Sequence, residues 1–257
     1  MNPNVAYPSF RNRTAVDELA EYLRLTIQNG VYVVGDRLPP ERVLTAQLSV
    51  ARPTLRQAFD CLKGEGYLET KRGATAGTYV TDLVVPTGMW LGRMRADPRE
   101  LNDIYEYHLM VETTVAGRAA LNRSDEHVSE IQLAIDQLRV LAQLHHRGMK
   151  PNGSEYASLR GADTLFHQAI AAASGNRRMA EAVFRARGEL FTAALLVMYD
   201  DARLGQIREE HEAILAAIQS ADESAARDLM ATHITNGFHR LGLLLEEPTL
   251  LSAIGSP

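Results

Sequence analysis

The sequence predicts a mainly α-helical fold built from two units. The first is an N-terminal winged helix-turn-helix, with three helices and a two-stranded wing, and the second is a C-terminal antiparallel all-α bundle of six or seven helices. Apolar residues recur at three- and four-residue spacing along most of the chain, which is typical of amphipathic helices. Only residues 67–81 contain two short strand-like runs, and a basic, glycine-bearing segment separates them.

The composition favours a soluble globular protein, because 46% of the 257 residues are apolar and 23% are charged. No run of about 18 uncharged apolar residues is present, and the first ten residues lack a basic stretch followed by an apolar one. The single cysteine, Cys61, cannot form an internal disulfide, and its apolar neighbours predict a buried thiol. These observations argue against a membrane-spanning or secreted protein and predict a cytoplasmic one.

Charge is distributed unevenly along the chain. Residues 1–81 contain 10 Lys and Arg against 8 Asp and Glu, a net charge of +2. Residues 82–257 contain 17 against 24, a net charge of −7, and the two parts together give the total of −5. A mildly basic N-terminal unit joined to an acidic remainder is compatible with binding of nucleic acid by the first unit.

Three helices and two strands are predicted in the N-terminal third. The first helix has a capping residue, Thr14, at its start and Gly30 at its end. Two shorter helices follow a proline-containing turn, and the tripeptide 49–51 between them gives a helix-turn-helix pattern. The predicted ranges are 14–29, 40–48 and 53–64 for the helices, 67–70 and 78–81 for the strands, and 71–77 for the wing tip.

The remainder of the chain is predicted to be a linker followed by helices. Residues 83–99 contain two prolines and two glycines and are interpreted as the linker, with one helical turn around residues 89–91. The helical segments beyond it are predicted at about 101–122, 126–147, 155–173, 177–198, 201–219 and 222–245. The predicted domains are therefore 1–82, the linker 83–99, and 100–257.

The second helix of the helix-turn-helix pattern opens with basic residues. Such a helix lies in the major groove of DNA, and the side chains of its first turns reach base edges. Arg52 and Arg56 share one face, so both can reach guanine or phosphate, as can Thr54. Arg42 on the preceding helix is expected on the same side, and Arg72 in the wing is placed to contact the minor groove or a phosphate. The alternative is a solvated basic face on an ordinary helical domain.

Residues 30–80 resemble the DNA-binding domain of the GntR superfamily. The matching segments are residues 35–42 (GDRLPPER), 50–58 (VARPTLRQA), Leu62, Gly66-Tyr67-Leu68 and 77–80 (GTYV). The resemblance implies DNA contacts from Arg42, Arg52, Thr54, Arg56 and the wing-tip pair Arg72-Gly73. Members of the family usually carry Ser or Thr where this chain has Ala51, so one hydroxyl contact to a phosphate is absent.

Four residues of the C-terminal part form a candidate metal site. Asp163 and His167 are four residues apart on a predicted helix and therefore project from one face. His211 and His233 lie on two later helices, and packing of a bundle can bring all four side chains to one divalent ion. The spacing itself places only the first pair together, and Asp163 with His167 equally fits a helix-stabilising pair.

Residues 101–244 resemble the FCD domain, the effector-binding bundle of the FadR subfamily. The matching residues are Glu112, Ala119-Ala120, Asp163, Phe166, His167, residues 173–176 (ASGN), His211, Ile214, Ala217, Ala225-Ala226 and His233. The resemblance implies that Asp163, His167, His211 and His233 bind a divalent metal, with Zn, Ni, Mn and Fe all compatible, and that the metal helps to bind a small carboxylate effector.

One position departs from the pattern of that domain. Many members carry an arginine four residues before Glu112, where it helps to bind an organic acid, and this chain has His108 there. His108 is then the expected effector-binding residue, but an imidazole is shorter than a guanidinium and cannot form a bidentate fork. Arg118 and Arg160 are the candidates to replace the missing arginine.

Together these features predict a homodimeric DNA-binding repressor that reads a palindromic operator and responds to a metabolite. One alternative is a metal-free regulator in which the four polar residues bind the ligand directly, and another is a structural dimerisation module without an effector. A metal-dependent enzyme with an appended DNA-binding head is disfavoured, because the sequence has no His-Glu-x-x-His string and no evident general base.

Overall fold

The structure is a computed structural model of the chain and describes residues 13–81, 83–145, 153–190 and 201–246. Its N-terminal unit, which we call the head, contains helices α1 (Ala15–Gln28), α2 (Glu41–Leu48) and α3 (Arg52–Gly64) and strands β1 (Leu68–Lys71) and β2 (Gly77–Val80). The body contains α4 (Val84–Ala96), α5 (Pro98–Asn122), α6 (Asp125–His145), α7 (Gly153–Ala173), α8 (Arg177–Glu189), α9 (Asp201–Gln219) and α10 (Glu223–Glu246). The predicted fold class is confirmed.

Helix α1 begins at the cap that the sequence predicts, Thr14, and the structure shows a reciprocal capping box with Asp17. The Thr14 hydroxyl accepts the backbone N–H of Asp17 at 3.2 Å, and the Asp17 carboxylate accepts the backbone N–H of Thr14 at 2.9 Å. Leu23 and Ile27 on its buried face pack with Leu55 of α3 in the core of the head. Burial of this apolar face fixes α1 against the helix that carries the candidate DNA-binding arginines.

The helix-turn-helix and the wing have the backbone features that their sequences require. Ser49 ends α2 with φ of 54°, a left-handed conformation that turns the chain into α3. Strands β1 and β2 are antiparallel, with Leu68 opposite Val80. The guanidinium of Arg37 donates to the carbonyl oxygen of Ala76 at 2.7 Å and thereby holds the wing tip against the rest of the head.

The region predicted as a linker is a helix, so the single helical turn expected there is an underestimate. Pro86 lies in the first turn of α4, where backbone N–H groups have no helical partner and a proline is tolerated. Trp90 and Met94 are buried and pack with Leu241 of α10. Burial of these apolar side chains therefore outweighs the helix-breaking signals that the sequence displays.

Cys61 is exposed, and the prediction of a buried thiol is wrong. The buried residues of α3 are Leu55, Ala58, Phe59 and Leu62. Position 61 lies outside the arc that these residues form on the helix, because each step along a helix turns the side chain by about 100°. Apolar neighbours in the sequence therefore did not determine on which face of the helix this thiol lies.

The body is an all-α bundle around one large core. Helix α5 packs along α10, and α6 packs along α7. Ala116, Phe166, Ile214 and Met230, from four different helices, are all buried in this core. The helix predicted at 177–198 ends at Glu189, and the rest of that prediction lies outside the described residues. Among the helices described here by their bounds, none has an uncharged apolar stretch of the length that a membrane span needs.

The head and the body are in direct contact where α1 ends. The side-chain amide of Asn29 donates to the carbonyl oxygen of Phe184 in α8 at 2.9 Å. Gly30 has φ of 74°, and a Cβ atom added there would lie 2.8 Å from Cα of Gly161 in α7. Only a glycine fits this approach of two backbones, so the position of α1 is tied to the helix that carries Asp163 and His167.

Candidate functional site

The four predicted metal ligands converge in the core of the body. Asp163 and His167 come from α7, His211 from α9 and His233 from α10, and all four side chains are buried. Their potential ligand atoms all lie within 4.8 Å of one another. The Nε2 atoms of His167 and His233 are 3.3 Å apart, and Nε2 of His211 is 3.5 Å from Oδ1 of Asp163. We call this group the four-residue cluster.

Two glutamates orient two of the imidazoles. Glu112 contacts Nδ1 of His167, and Glu210 contacts Nδ1 of His233 at 2.7 Å. A carboxylate accepts a hydrogen bond, so Nδ1 is the donor in each pair, and the Nε2 atoms of the two rings face each other in the cluster. Carboxylates in this arrangement orient histidine ligands and raise their basicity in many metal sites.

His211 supplies the observation that tests whether a metal fits. Its ring stacks on Phe166, with centroids 3.7 Å apart, and is fully buried. Neither ring nitrogen has a hydrogen-bond partner among the described residues. Leaving a buried polar group unsatisfied costs about 1–3 kcal/mol, and a metal ion would satisfy the nitrogen that faces Asp163.

The protonation states favour a cation-binding site. Burial lowers the pKa of His211 well below its ordinary value of 6.5, and it also lowers the pKa of His167. Burial raises the pKa of the Asp163 carboxyl, but Arg187 and His167 oppose this more strongly and the net direction is downward. Neutral imidazoles and an ionised carboxylate are the forms that bind metals.

Arg187 of α8 is part of the site, and no pattern in the sequence indicated it. Its guanidinium contacts the Oδ2 oxygen of Asp163, and Nη1 lies 3.8 Å from Oε1 of Glu112. The side chain is only 9% exposed. The orienting roles of Glu112 and Glu210 were also not predicted. His211, which follows Glu210 in the chain, was predicted as a metal ligand.

His108 is fully buried beside the four-residue cluster. Its Nδ1 lies 3.1 Å from Oε1 of Glu112, and its Nε2 lies 2.6 Å from the carbonyl oxygen of Ala186. The ring therefore connects α5 to α8 immediately before Arg187. Direct contact of His108 with an effector stays a prediction, and both of its ring nitrogens have protein partners.

The two other arginines that the sequence offered lie elsewhere. Arg118 is exposed on α5. Arg160 is buried in α7 and donates to the carbonyl oxygen of Ile27 at 2.9 Å. Burial, together with the charge of Arg187, lowers the pKa of Arg160 from 12.5 to about 9. The guanidinium of Arg160 therefore contacts the head, although Arg160 lies one turn before Asp163 on α7.

The predicted DNA-contacting residues lie on the surface of the head. Exposed members of the set are Arg42, Arg52, Arg56, Arg72 and Gly73, and Thr54 is half-buried. Nε of Arg56 is 3.0 Å from Oε2 of Glu41, so α3 and α2 are joined by an exposed ion pair. The four arginines are exposed to solvent, and their individual contacts to DNA stay predictions.

Two family models match the chain. The model described as "Bacterial regulatory proteins, gntR family" matches residues 15–80, and the model described as "FCD domain" matches residues 103–236. The first covers the helices and strands of the head, and the second covers the part of the body that contains the four-residue cluster.

Relatives of similar length include two proteins of Escherichia coli (strain K12). One, whose name assigns it to regulation of the L-lactate dehydrogenase operon, is 29% identical over 87% of this chain and 84% of its own length. The galactonate operon transcriptional repressor is 25% identical over 88% and 96%. The solved structure of E. coli McbR/YncC covers 90% of this chain and 99% of its own, with a TM-score of 0.55 and 17% identity, and shows the same fold.

Proposed function

Since the chain belongs to the GntR family of bacterial regulatory proteins and carries an FCD domain, we propose that it is a metabolite-responsive repressor whose body binds a divalent metal and a small organic acid. The family makes it a DNA-binding transcription regulator, and both of its domains are those of regulators rather than enzymes. The observation that carries the metal part is His211, whose buried nitrogens lack a partner among the described residues.

We assign the metal to Asp163, His167, His211 and His233, with Zn, Ni, Mn and Fe all compatible with this donor set. A bound ion would supply a Lewis acid that attracts a carboxylate. Glu112 and Glu210 keep the imidazole protons on Nδ1, so that Nε2 of His167 and His233 stays available. The buried surroundings exclude water, which strengthens any charge interaction made there.

The proposed effector is a small hydroxy acid. Lactate and galactonate appear in the names of the two relatives, and both are carboxylates with a hydroxyl on the neighbouring carbon. Such an acid can offer two oxygens to one ion. The binding of an acid alters operator affinity only if the acid has different affinities for two arrangements of the heads.

The DNA-binding unit proposed is a dimer on a palindromic operator. A single head has a net charge of only +2 over residues 1–81, so one head alone is expected to bind weakly. Two linked heads raise the effective concentration of the second contact. We assign base contacts to Arg52, Arg56 and Thr54, and backbone or minor-groove contacts to Arg42 and the Arg72-Gly73 wing tip.

We also propose that the boundary between the domains lies at residue 82. Helix α4 takes the place of the predicted linker 83–99, and its Trp90 and Met94 pack with Ile104 of α5. Residues 100–257 then remain the effector-binding and dimerisation domain, and residues 1–82 the DNA-binding domain.

Thermal unfolding of the full-length protein tests the metal and the acid together. A ligand that binds only the folded state raises the melting temperature, with about 2.7 kcal/mol gained at 100 times Kd. In protein that has been unfolded with a chelator and refolded without metal, we expect Zn²⁺ or Mn²⁺ to raise it, and L-lactate or D-galactonate to raise it further only when the metal is present. His211→Ala should abolish both shifts, whereas His239→Ala, an exposed histidine on α10, should preserve them.

A metal-free regulator is the second candidate, because Arg187 already neutralises Asp163 without an ion. The two candidates separate in the same experiment. A shift caused by an acid in protein treated with a chelator supports the metal-free regulator. A shift that needs the metal supports the first proposal, and the absence of any metal-induced shift contradicts it.

A further inference from the structure

Arg187 is a buried cation beside the four-residue cluster, and its partners are carboxylates. It contacts Oδ2 of Asp163 and lies 3.8 Å from Glu112, and its side chain is 9% exposed. A guanidinium has five N–H donors in a planar fork that matches a carboxylate. In the structure, part of this fork is occupied by Asp163, which is also a proposed metal ligand.

A bound ion would change the surroundings of Arg187. The two carboxylates beside this side chain are Asp163, which it contacts, and Glu112, whose Oε1 lies 3.8 Å from Nη1. Glu112 also contacts His167. A divalent ion held by Asp163 would add two positive charges beside this guanidinium, and an uncompensated buried charge is unfavourable. An anionic ligand is the group that would offset them.

The three other cations that the sequence analysis singled out are not available to such a ligand. Arg118 is exposed, and Arg160 donates to Ile27 of the head. His108 uses both ring nitrogens on Glu112 and on the carbonyl oxygen of Ala186. The contact to Ala186 fixes the backbone of α8 one residue before Arg187, so that its guanidinium points at the cluster.

We infer that Arg187 receives the carboxylate of the effector once Asp163 is engaged by the metal. The inference rests on the proposed function and names the protein group that would give this site its preference for an anion. Without metal, Asp163 is the carboxylate partner of Arg187. In the metal-bound protein, the carboxylate of the acid takes the position of Asp163 beside the guanidinium. Arg187 is in this sense a specificity-determining residue for anionic ligands.

The test compares full-length wild type with Arg187→Met and with Arg185→Met, an exposed arginine two residues earlier on α8. Binding of Mn²⁺ or Zn²⁺ alone is measured first, by competition with a chelator. Arg187→Met should bind the metal as tightly as wild type or more tightly, because a cation that competes for Asp163 is gone. A role of Arg187 that is only structural would instead weaken metal binding.

Titration calorimetry at saturating metal then measures binding of L-lactate, D-galactonate and inorganic phosphate. Arg187→Met should lose affinity for the bound anion by about 10- to 100-fold, the usual size of a charge-assisted hydrogen-bonded pair. Arg185→Met should bind like wild type, and neutral lactamide should bind wild type and Arg187→Met equally weakly. Comparison of the carboxylates with phosphate shows which anion the site accepts. Should Arg187→Met not fold, Arg187→Lys keeps the charge without the fork and should lose about 10-fold.

The outcomes separate this inference from the proposed function. Equal acid affinity in wild type and Arg187→Met overturns the inference, and so does a parallel loss of metal and acid affinity. Metal binding by wild type without binding of any of the three anions also overturns it, while the metal part of the proposed function stands. Failure of wild type to bind metal overturns the proposed function, and the inference falls with it.

Discussion

Arg160 donates a 2.9 Å hydrogen bond to the carbonyl oxygen of Ile27, which joins the middle of α7 to the end of α1. The same carbonyl oxygen accepts the backbone N–H of Gly30. Arg160 lies three residues before Asp163 on α7. The helix that carries two of the proposed metal ligands therefore also contacts the first helix of the head. A displacement of α7 would act directly on the position of α1 through this hydrogen bond.

Loss of this contact should loosen the end of α1. We expect Arg160→Met to speed amide hydrogen exchange at Gly30 and Val31, because loss of a buried hydrogen bond costs about 1–3 kcal/mol. Exchange is measured by mass spectrometry on peptides that span residues 26–33. Arg139→Met, an exposed arginine of α6, serves as the control. Unchanged exchange in Arg160→Met would show that the contact does not hold the head.

The approach of Gly30 to Gly161 can be tested by adding one methyl group. Gly30→Ala should lower the free energy of unfolding by about 1–2 kcal/mol from its left-handed φ and by about 1–3 kcal/mol more from overpacking against the α7 backbone. Gly35→Ala is the matched control, because φ is 87° there and no described atom lies within 4 Å of the added Cβ. Both are measured by denaturant unfolding, and equal losses would contradict the close approach.

The glutamate that orients His233 should matter for metal affinity. Glu210→Ala removes the acceptor that holds the proton on Nδ1 of His233, and removal of such a partner typically weakens binding by about 10- to 100-fold. Glu209→Ala, an exposed neighbour on α9, should leave the affinity unchanged. Competition titration with Zn²⁺ measures both variants. Equal affinities in the two variants would argue against a metal at His233.

The ion pair between Glu41 and Arg56 leads to opposite predictions for its two members. Arg56→Ala should weaken binding to a duplex selected from a random pool by about 1–3 kcal/mol. Glu41→Gln should strengthen it by about 0.2–1 kcal/mol, because Arg56 is released and a negative charge near the phosphates is removed. Gel-shift titration at one fixed salt concentration measures both. Weaker binding by Glu41→Gln would mean that the pair positions Arg56 for DNA.

Much of the head could be predicted from the sequence because its signals are local. The Thr14 cap, the turn at Ser49 and the glycine-bearing wing each act within a few residues, and the structure has all three. The length of helix α4 was underestimated, because Trp90 and Met94 stabilise the helix by packing on Leu241, which is far away in the sequence. A local reading of prolines and glycines contains no information about that contact.

The four-residue cluster was only partly accessible to reasoning from the residues. The spacing of Asp163 and His167 places both on one face, but their meeting with His211 and His233 depends on how three helices pack. Resemblance to the FCD domain supplied that step. Arg187 had no such signal, because its role follows from the position of α8 against α7 rather than from any pattern in its neighbours.

The burial of the proposed metal ligands has a consequence for the rate of exchange. Asp163, His167, His211 and His233 are 5%, 1%, 0% and 7% exposed, so a bound ion can leave only when the surrounding helices part. Release would then be limited by the frequency of that opening rather than by the concentration of a chelator. The bound metal would then be the one that was available when the chain folded, and purified protein would retain that metal during dialysis.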